Sequence, residues 1–141
     1  MINKPHFVLD SFALLAFFRA ETAGARVREL LEQAQAGEIA LSITAVNLGE
    51  VFYRAIRERG LERAHEMLGR VEELGVEIAD VDLELALMAG SLKAASGIGY
   101  ADCIAAALAQ RLDAAVVTGD PGFRQVEGLV PIAWLPTAEP Q

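Results

Sequence analysis

Lysine is nearly missing from this chain: in 141 residues only Lys4 and Lys93 carry an ammonium, and twelve Lys and Arg face twenty Asp and Glu for a net charge of −8. That balance excludes a broad cationic face that would draw nucleic acid or anionic lipid non-specifically, while leaving room for a local basic site. Cysteine is as scarce. Cys103 stands alone, so no internal disulfide forms, the chain suits a reducing compartment, and among its alanines the thiol reads as a small core residue. Long hydrophobic runs are missing too: the one at 7–9 stops at Asp10, and the longest later one is cut by Gln110, Arg111 and Asp113, short of the ~20 residues a membrane span needs. The opening residues lack the basic and then apolar pattern of a signal peptide. We therefore expect a cytoplasmic protein without membrane contact. Repeats, low-complexity blocks and linkers are also absent, which favours one domain over residues 1–135 followed by a loose tail at 136–141.

What is present is aliphatic. Hydrophobic residues make up 53% of the chain and aromatic ones only 6%, pointing to a helix-rich core of alanine, leucine and valine. At this length roughly 70% of the unfolded chain's surface is buried on folding, enough for a sizeable core. Phe7, Val8 and Leu9 form an unbroken apolar run, as in a central strand of a parallel sheet, with Asp10 at its carboxyl end and Ser11 placed to cap the next helix. Residues 22–35 follow as a half-exposed helix. Residues 39–43 read as a second strand, and Thr44 as the cap of a helix that carries Asn47 and Glu50 on one side. Gly60 breaks that helix before another at 61–74, so the two form a hairpin. A strand near 76–79, a helix begun by Asp80 or Asp82, a buried helix at 103–112 and a strand at 114–117 complete the alternation. A turn or short helix from Pro121 and an edge strand at 130–132 close it. The fold class is α/β, with three layers and a mainly parallel sheet.

Residues 98–120 carry acid at both ends of one helix-to-strand unit, Asp102 at the helix start and Asp120 beyond the strand. Asp10 and Asp120 both fall at strand carboxyl ends, where open α/β sheets bind ligands. Glu50 interrupts an otherwise apolar helix face. Each acid has a local explanation: Asp10 or Asp102 as a helix cap, Glu50 as a partner of Arg54 or Arg57, Asp120 as a turn residue before Pro121. As a set they are harder to explain locally. Two carboxylates 4 Å apart repel by about 4 kcal/mol at an effective dielectric of 20, so a gathered set needs protons or a cation, and oxygen donors suit Mg²⁺ or Mn²⁺. Such an ion lowers the pKa of a bound water and neutralises a phosphodiester, the requirements of phosphoryl hydrolysis. His6 and His65 look peripheral to the acids.

In these residues the chain resembles the PIN-domain ribonucleases, in particular VapC-type toxins of toxin-antitoxin pairs. Asp10-Ser11 is similar to the family's first acidic motif, Glu50 to the second, Asp102 after Gly99-Tyr100-Ala101 to the third, and Thr118-Gly119-Asp120 with Phe123 to the fourth. Ser11, Asn47 and Thr118 match the polar positions that support the acids. The likeness runs from Phe7 to Ile132. It implies an α/β/α PIN-like domain with a sheet of four to five strands. It also implies a Mg²⁺- or Mn²⁺-dependent endoribonuclease, with Asp10, Glu50, Asp102 and Asp120 as catalytic and metal-binding residues, leaving 3′-hydroxyl and 5′-phosphate ends. A homodimer and a cognate VapB-type antitoxin whose tail occupies the active-site groove are implied as partners. The chain departs from a comfortable RNA binder in its acidity, so a few cations must hold the substrate: Arg19, Arg54 and Lys93, with Arg57 and Arg59 as further candidates.

Rivals fit less well. A phospho-acceptor receiver domain needs a lysine after a late strand, and none follows Lys93; a haloacid-dehalogenase-type phosphatase needs an acid where Phe12 stands. A non-catalytic PIN-like binding or assembly module, and a housekeeping RNA-processing nuclease without an antitoxin, stay open.

Overall fold

The structure, a computed structural model, describes residues 4–137. Five strands, β1 (His6–Leu9), β2 (Ala40–Thr44), β3 (Glu77–Ala79), β4 (Ala115–Thr118) and β5 (Ile132–Trp134), pair in parallel in the order β3-β2-β1-β4-β5. Helices α1 (Ser11–Phe18), α2 (Thr22–Gln35), α3 (Ala45–Arg59), α4 (Leu61–Glu73), α5 (Leu83–Ala95) and α6 (Tyr100–Leu112) connect them, with a 3-10 segment at Pro121–Val126 before the last strand.

The pleat of the two central strands divides the core. Val8 pairs with Val116 in register and both turn toward α5 and α6, whereas Leu9 pairs with Val117 and both turn toward α1 and α2. Successive side chains on buried parallel strands must satisfy both faces, which is why these strands read as unbroken apolar runs. The result is the expected three-layer α/β/α arrangement. Ala105, Ala106, Ala107 and Ala109 are fully buried, small side chains that let α6 pack closely on its neighbours. Gly24 has a comparable role between helices: a Cβ there would overlap the Ala16 carbonyl oxygen of α1.

Two local expectations shift. Asp10, not Ser11, caps α1: its backbone is extended (φ −90°, ψ 180°) and its carboxylate accepts from the Ala13 N–H, leaving Ser11 as the first helical residue. The edge strand lies two positions later than 130–132, because Val130 turns into the core and the Pro131 carbonyl accepts from the Val116 N–H at 3.0 Å. Proline lacks only the donor, so it enters the ladder at an edge. Of the expected tail at 136–141, residues 138–141 lie outside the described residues.

Candidate active site

The chain builds β1, β2 and β3 outward in one direction and then returns to place β4 on the other side of β1. Two connections therefore leave the carboxyl ends of β1 and β4 in opposite directions, and the crevice between them is where such sheets take ligands. Asp10 directly follows β1, and Asp120 stands two residues past β4. Asp102 enters from the first turn of α6 and Glu50 from the second turn of α3.

These four acids, distant in sequence, line one cavity of about 590 Å³ together with Ser11, Arg19 and Arg54. Three of them are held by hydrogen bonds, and Asp102 by the placement of α6. Asp10 is 1% exposed and anchored to the Ala13 N–H at 2.8 Å. The Ser11 hydroxyl donates to Glu50 Oε1 at 3.1 Å, so Glu50 is tied to α1 across 39 residues of sequence. Asp120 Oδ1 accepts from the Gly122 N–H at 2.9 Å, and the Asp120 N–H donates to the Thr118 hydroxyl at 3.0 Å. Asn47, fully buried, accepts from the Thr44 hydroxyl and donates through Nδ2 to the Ala101 carbonyl at 3.2 Å, fixing the start of α6 beside α3. That bond sets where Asp102 stands relative to Glu50.

The electrostatics follow from this crowding. Burial pushes the Asp10 carboxyl up to about 7, and the Asp102 and Asp120 carboxylates add to the rise while the Thr118 hydroxyl and the Ala13 N–H oppose it. Asp102 is pushed up to about 6, first by burial and then by Asp120 and Glu50, with the Arg54 guanidinium opposing. A site that raises its own carboxyl pKa values is short of positive charge. Its donors are all oxygen, which fits a hard divalent cation. Among the described residues, however, no three of His, Cys, Asp and Glu are gathered tightly enough to form a ready-made metal cage. An ion such as Mg²⁺ usually keeps several waters and takes only one or two carboxylates, so an oxygen donor set without a preformed cage is compatible with it.

The sequence of the PIN domain family matches residues 7–129, nearly the whole of this fold and all four acids. The chain belongs to the PIN-domain family. Its fold is similar to VapBC2 from Rickettsia felis bound to a promoter DNA fragment, at TM-score 0.71 and 20% identity over 93% of this chain and 99% of that one. It is likewise similar to Mycobacterium tuberculosis VapC20, a Sarcin-Ricin loop cleaving toxin, at TM-score 0.69 and 14% identity over 91% and 98% of the two chains. DNA-bound VapBC from Salmonella typhimurium gives TM-score 0.63 and 23% identity over 96% and 98%. Among curated proteins none matches significantly.

Within this PIN domain the cations expected near the acids are sorted unequally. Arg19 and Arg54 line the acid cavity, and Arg19 is also paired with Glu58 on α3. Lys93 is not on the cavity wall; its ammonium donates to the Ile98 carbonyl at 2.8 Å and braces the turn that precedes α6. Arg57 lies over the Tyr53 ring. His6 meets Ser42 at 2.8 Å and His65 packs on Phe52, so neither histidine reaches the acids. Sequence reasoning missed Phe12, Thr22 and Thr137, which complete the cavity wall. Gly119 makes room for Phe12, since a Cβ there would overlap the Phe12 ring, a contact no local pattern in the sequence marks. No helix among the described residues is long and apolar enough to cross a membrane.

Proposed function

We propose that this PIN domain is a metal-dependent endoribonuclease of the VapC toxin type, hydrolysing RNA phosphodiester bonds at the cavity lined by Asp10, Glu50, Asp102 and Asp120. The observation that carries the reading is the meeting of four sequence-distant carboxylates in one cavity at the switch point of the sheet, where burial and mutual repulsion raise the carboxyl pKa of Asp10 and Asp102. Asp10, Asp102, Asp120 and Glu50 would hold Mg²⁺ or Mn²⁺, which when bound supplies Lewis acidity toward the phosphate and acidifies water. The chain's own groups do the rest. Arg54 offers a guanidinium to a phosphate oxygen at the cavity wall. With no histidine there, a carboxylate is the acceptor for the proton of an attacking water. Ser11, Asn47 and Thr118 hold Glu50, the start of α6 and Asp120 in position. A VapB-type antitoxin is the partner this reading calls for, since similar folds occur in VapBC complexes; a homodimer is proposed with it.

The test is cleavage of a single-stranded RNA by purified protein in Mg²⁺ or Mn²⁺, in EDTA, and after Asp102→Asn. Activity should vanish in EDTA, return with the ion, and fall at least ~100-fold in the variant with its circular dichroism unchanged. Cleavage that persists in EDTA would refute metal dependence. That no three of the described His, Cys, Asp and Glu form a ready-made metal cage is the one observation that favours a non-catalytic PIN-like module, and that reading requires wild-type protein inert on RNA with either ion.

A further inference from the structure

A second cleft opens beside the acid cavity, between α1, α3 and α4, and the two share Leu15 and Arg19 as a common wall. Its floor is apolar, formed by Leu15, Phe18 and Met67, and its rim carries Arg19, Arg59, Arg63 and Arg70 against only Glu58 and Glu66. On a chain of net charge −8 this excess of arginine is a local reversal of sign, complementary to a polyanion. Arg63, Met67 and Arg70 share one face of α4 at i, i+4 and i+7, so the helix alone brings two cations and an apolar side chain to the opening.

Size narrows the occupant. The cleft holds about 160 Å³, close to the ~150 Å³ that admits a benzene ring in an apolar cavity, so it takes one ring-sized group. One planar base fits against the apolar floor beside Phe18, whose ring Arg70 covers, with guanidinium groups at the rim that can take phosphate oxygens. We propose that this cleft is a nucleotide subsite for single-stranded RNA, holding the base of a residue adjacent to the scissile phosphate while Arg59 and Arg63 contact its backbone. The inference rests on the ribonuclease reading above. It extends that reading by giving the strand a direction: out of the acid cavity, over Arg19, and onto α4.

The experiment measures binding and cleavage separately. Fluorescence anisotropy with a labelled single-stranded RNA in Ca²⁺ compares the wild-type chain, Arg59→Ala/Arg63→Ala, and Met67→Trp, across a salt series. Loss of two phosphate contacts should weaken binding at low salt and flatten the slope of log K against log[salt] by ~1.4, about 0.7 per contact on a single strand. Met67→Trp fills the cleft without changing charge. It should weaken binding to intact RNA but not to the same RNA made abasic next to the cut. Wild-type affinity and slope in the double variant, or equal losses on intact and abasic RNA in Met67→Trp, overturn the subsite. If the double variant instead loses affinity only for an acidic amphipathic peptide, the cleft is a protein-docking site and the proposal is overturned. A wild-type chain that neither binds nor cleaves RNA overturns the ribonuclease reading itself, a different result from wild-type cleavage with inert cleft variants.

Discussion

Asp10→Asn should make the metal-free protein more stable, not less. The Asp10 carboxyl is 1% exposed and titrates near 7 in the folded chain, against an ordinary value of 3.8. Between those two pH values the folded chain keeps a proton that the unfolded chain has released, so stability falls as pH rises through the window and is not lost further above it. A gap of roughly three pH units at ~1.4 kcal/mol each puts the cost of the ionised group at ~4 kcal/mol at pH 8, roughly halved by pH 5. Asp102, with a folded value of about 6, acts in the same direction, and its partial exposure reduces its weight. Asparagine removes the charge but keeps an oxygen for the Ala13 N–H, and it caps helices as well as aspartate does.

The assay is urea unfolding of EDTA-treated protein at pH 8 and pH 5. At pH 8 the variant should gain up to ~4 kcal/mol with an unchanged m-value, and the gain should shrink at pH 5. Adding Mg²⁺ should reverse the order, because an ion that binds only the folded state stabilises wild type and has lost a ligand in the variant. The reasoning is refuted if Asp10→Asn in EDTA is no more stable than wild type at pH 8 and wild-type stability is flat between the two pH values. That pair of results would mean that the carboxylate is solvated or already paired.

The remaining predictions concern how the site is held. Gly24→Ala should cost about 1–3 kcal/mol in urea unfolding, since its Cβ meets the Ala16 carbonyl of α1 and backbone cannot yield as a side chain can. Asn47→Ala removes the donor to the Ala101 carbonyl and should cost about 1–3 kcal/mol; RNA cleavage should fall even at temperatures where the variant is fully folded, because Asp102 loses its fixed position. Ala106→Leu, at a fully buried position of α6, should cost about 1–3 kcal/mol by forcing that helix off the sheet, measured as a lowered Tm.

Much of the fold was legible because its signals are local. Apolar runs at 7–9 and 114–117 mark strands buried on both faces, Thr44 and Asp82 cap the helices that follow them, and Gly60 separates α3 from α4. The acids were legible as a set for a related reason: residues at strand carboxyl ends share a sheet edge whatever the strand order. What stayed hidden depends on long-range pairing. Glu50 looked like a partner for Arg54 one helical turn away, yet it accepts from Ser11, 39 residues distant. Lys93 looked like a free cation, but the turn after α5 brings the Ile98 carbonyl to its ammonium. The order β3-β2-β1-β4-β5 leaves no periodicity in the sequence, because it is set by which helices cover which face. Ser11 as cap failed by one residue: an Asp and a Ser side by side are equally good caps, and only the backbone angle at the strand end selects between them.

The distribution of charge limits how this chain can hold RNA. Among the described residues Arg54, Arg59 and Arg63 are in no ion pair, while Arg19 is paired with Glu58 and Arg70 lies over the Phe17 and Phe18 rings. Three guanidinium groups facing a single strand give a salt slope of only about −2, against about −10 for a dedicated DNA repressor. Non-specific affinity is therefore weak, and the acid cavity repels a phosphate until its carboxylates are neutralised. On the proposed ribonuclease reading, binding of cation and binding of RNA would be coupled at the same carboxylates, each reducing the unfavourable charge that the other meets. In the proposed ribonuclease, discrimination between RNAs would then fall to what fits the cavity and the neighbouring cleft, not to electrostatic capture.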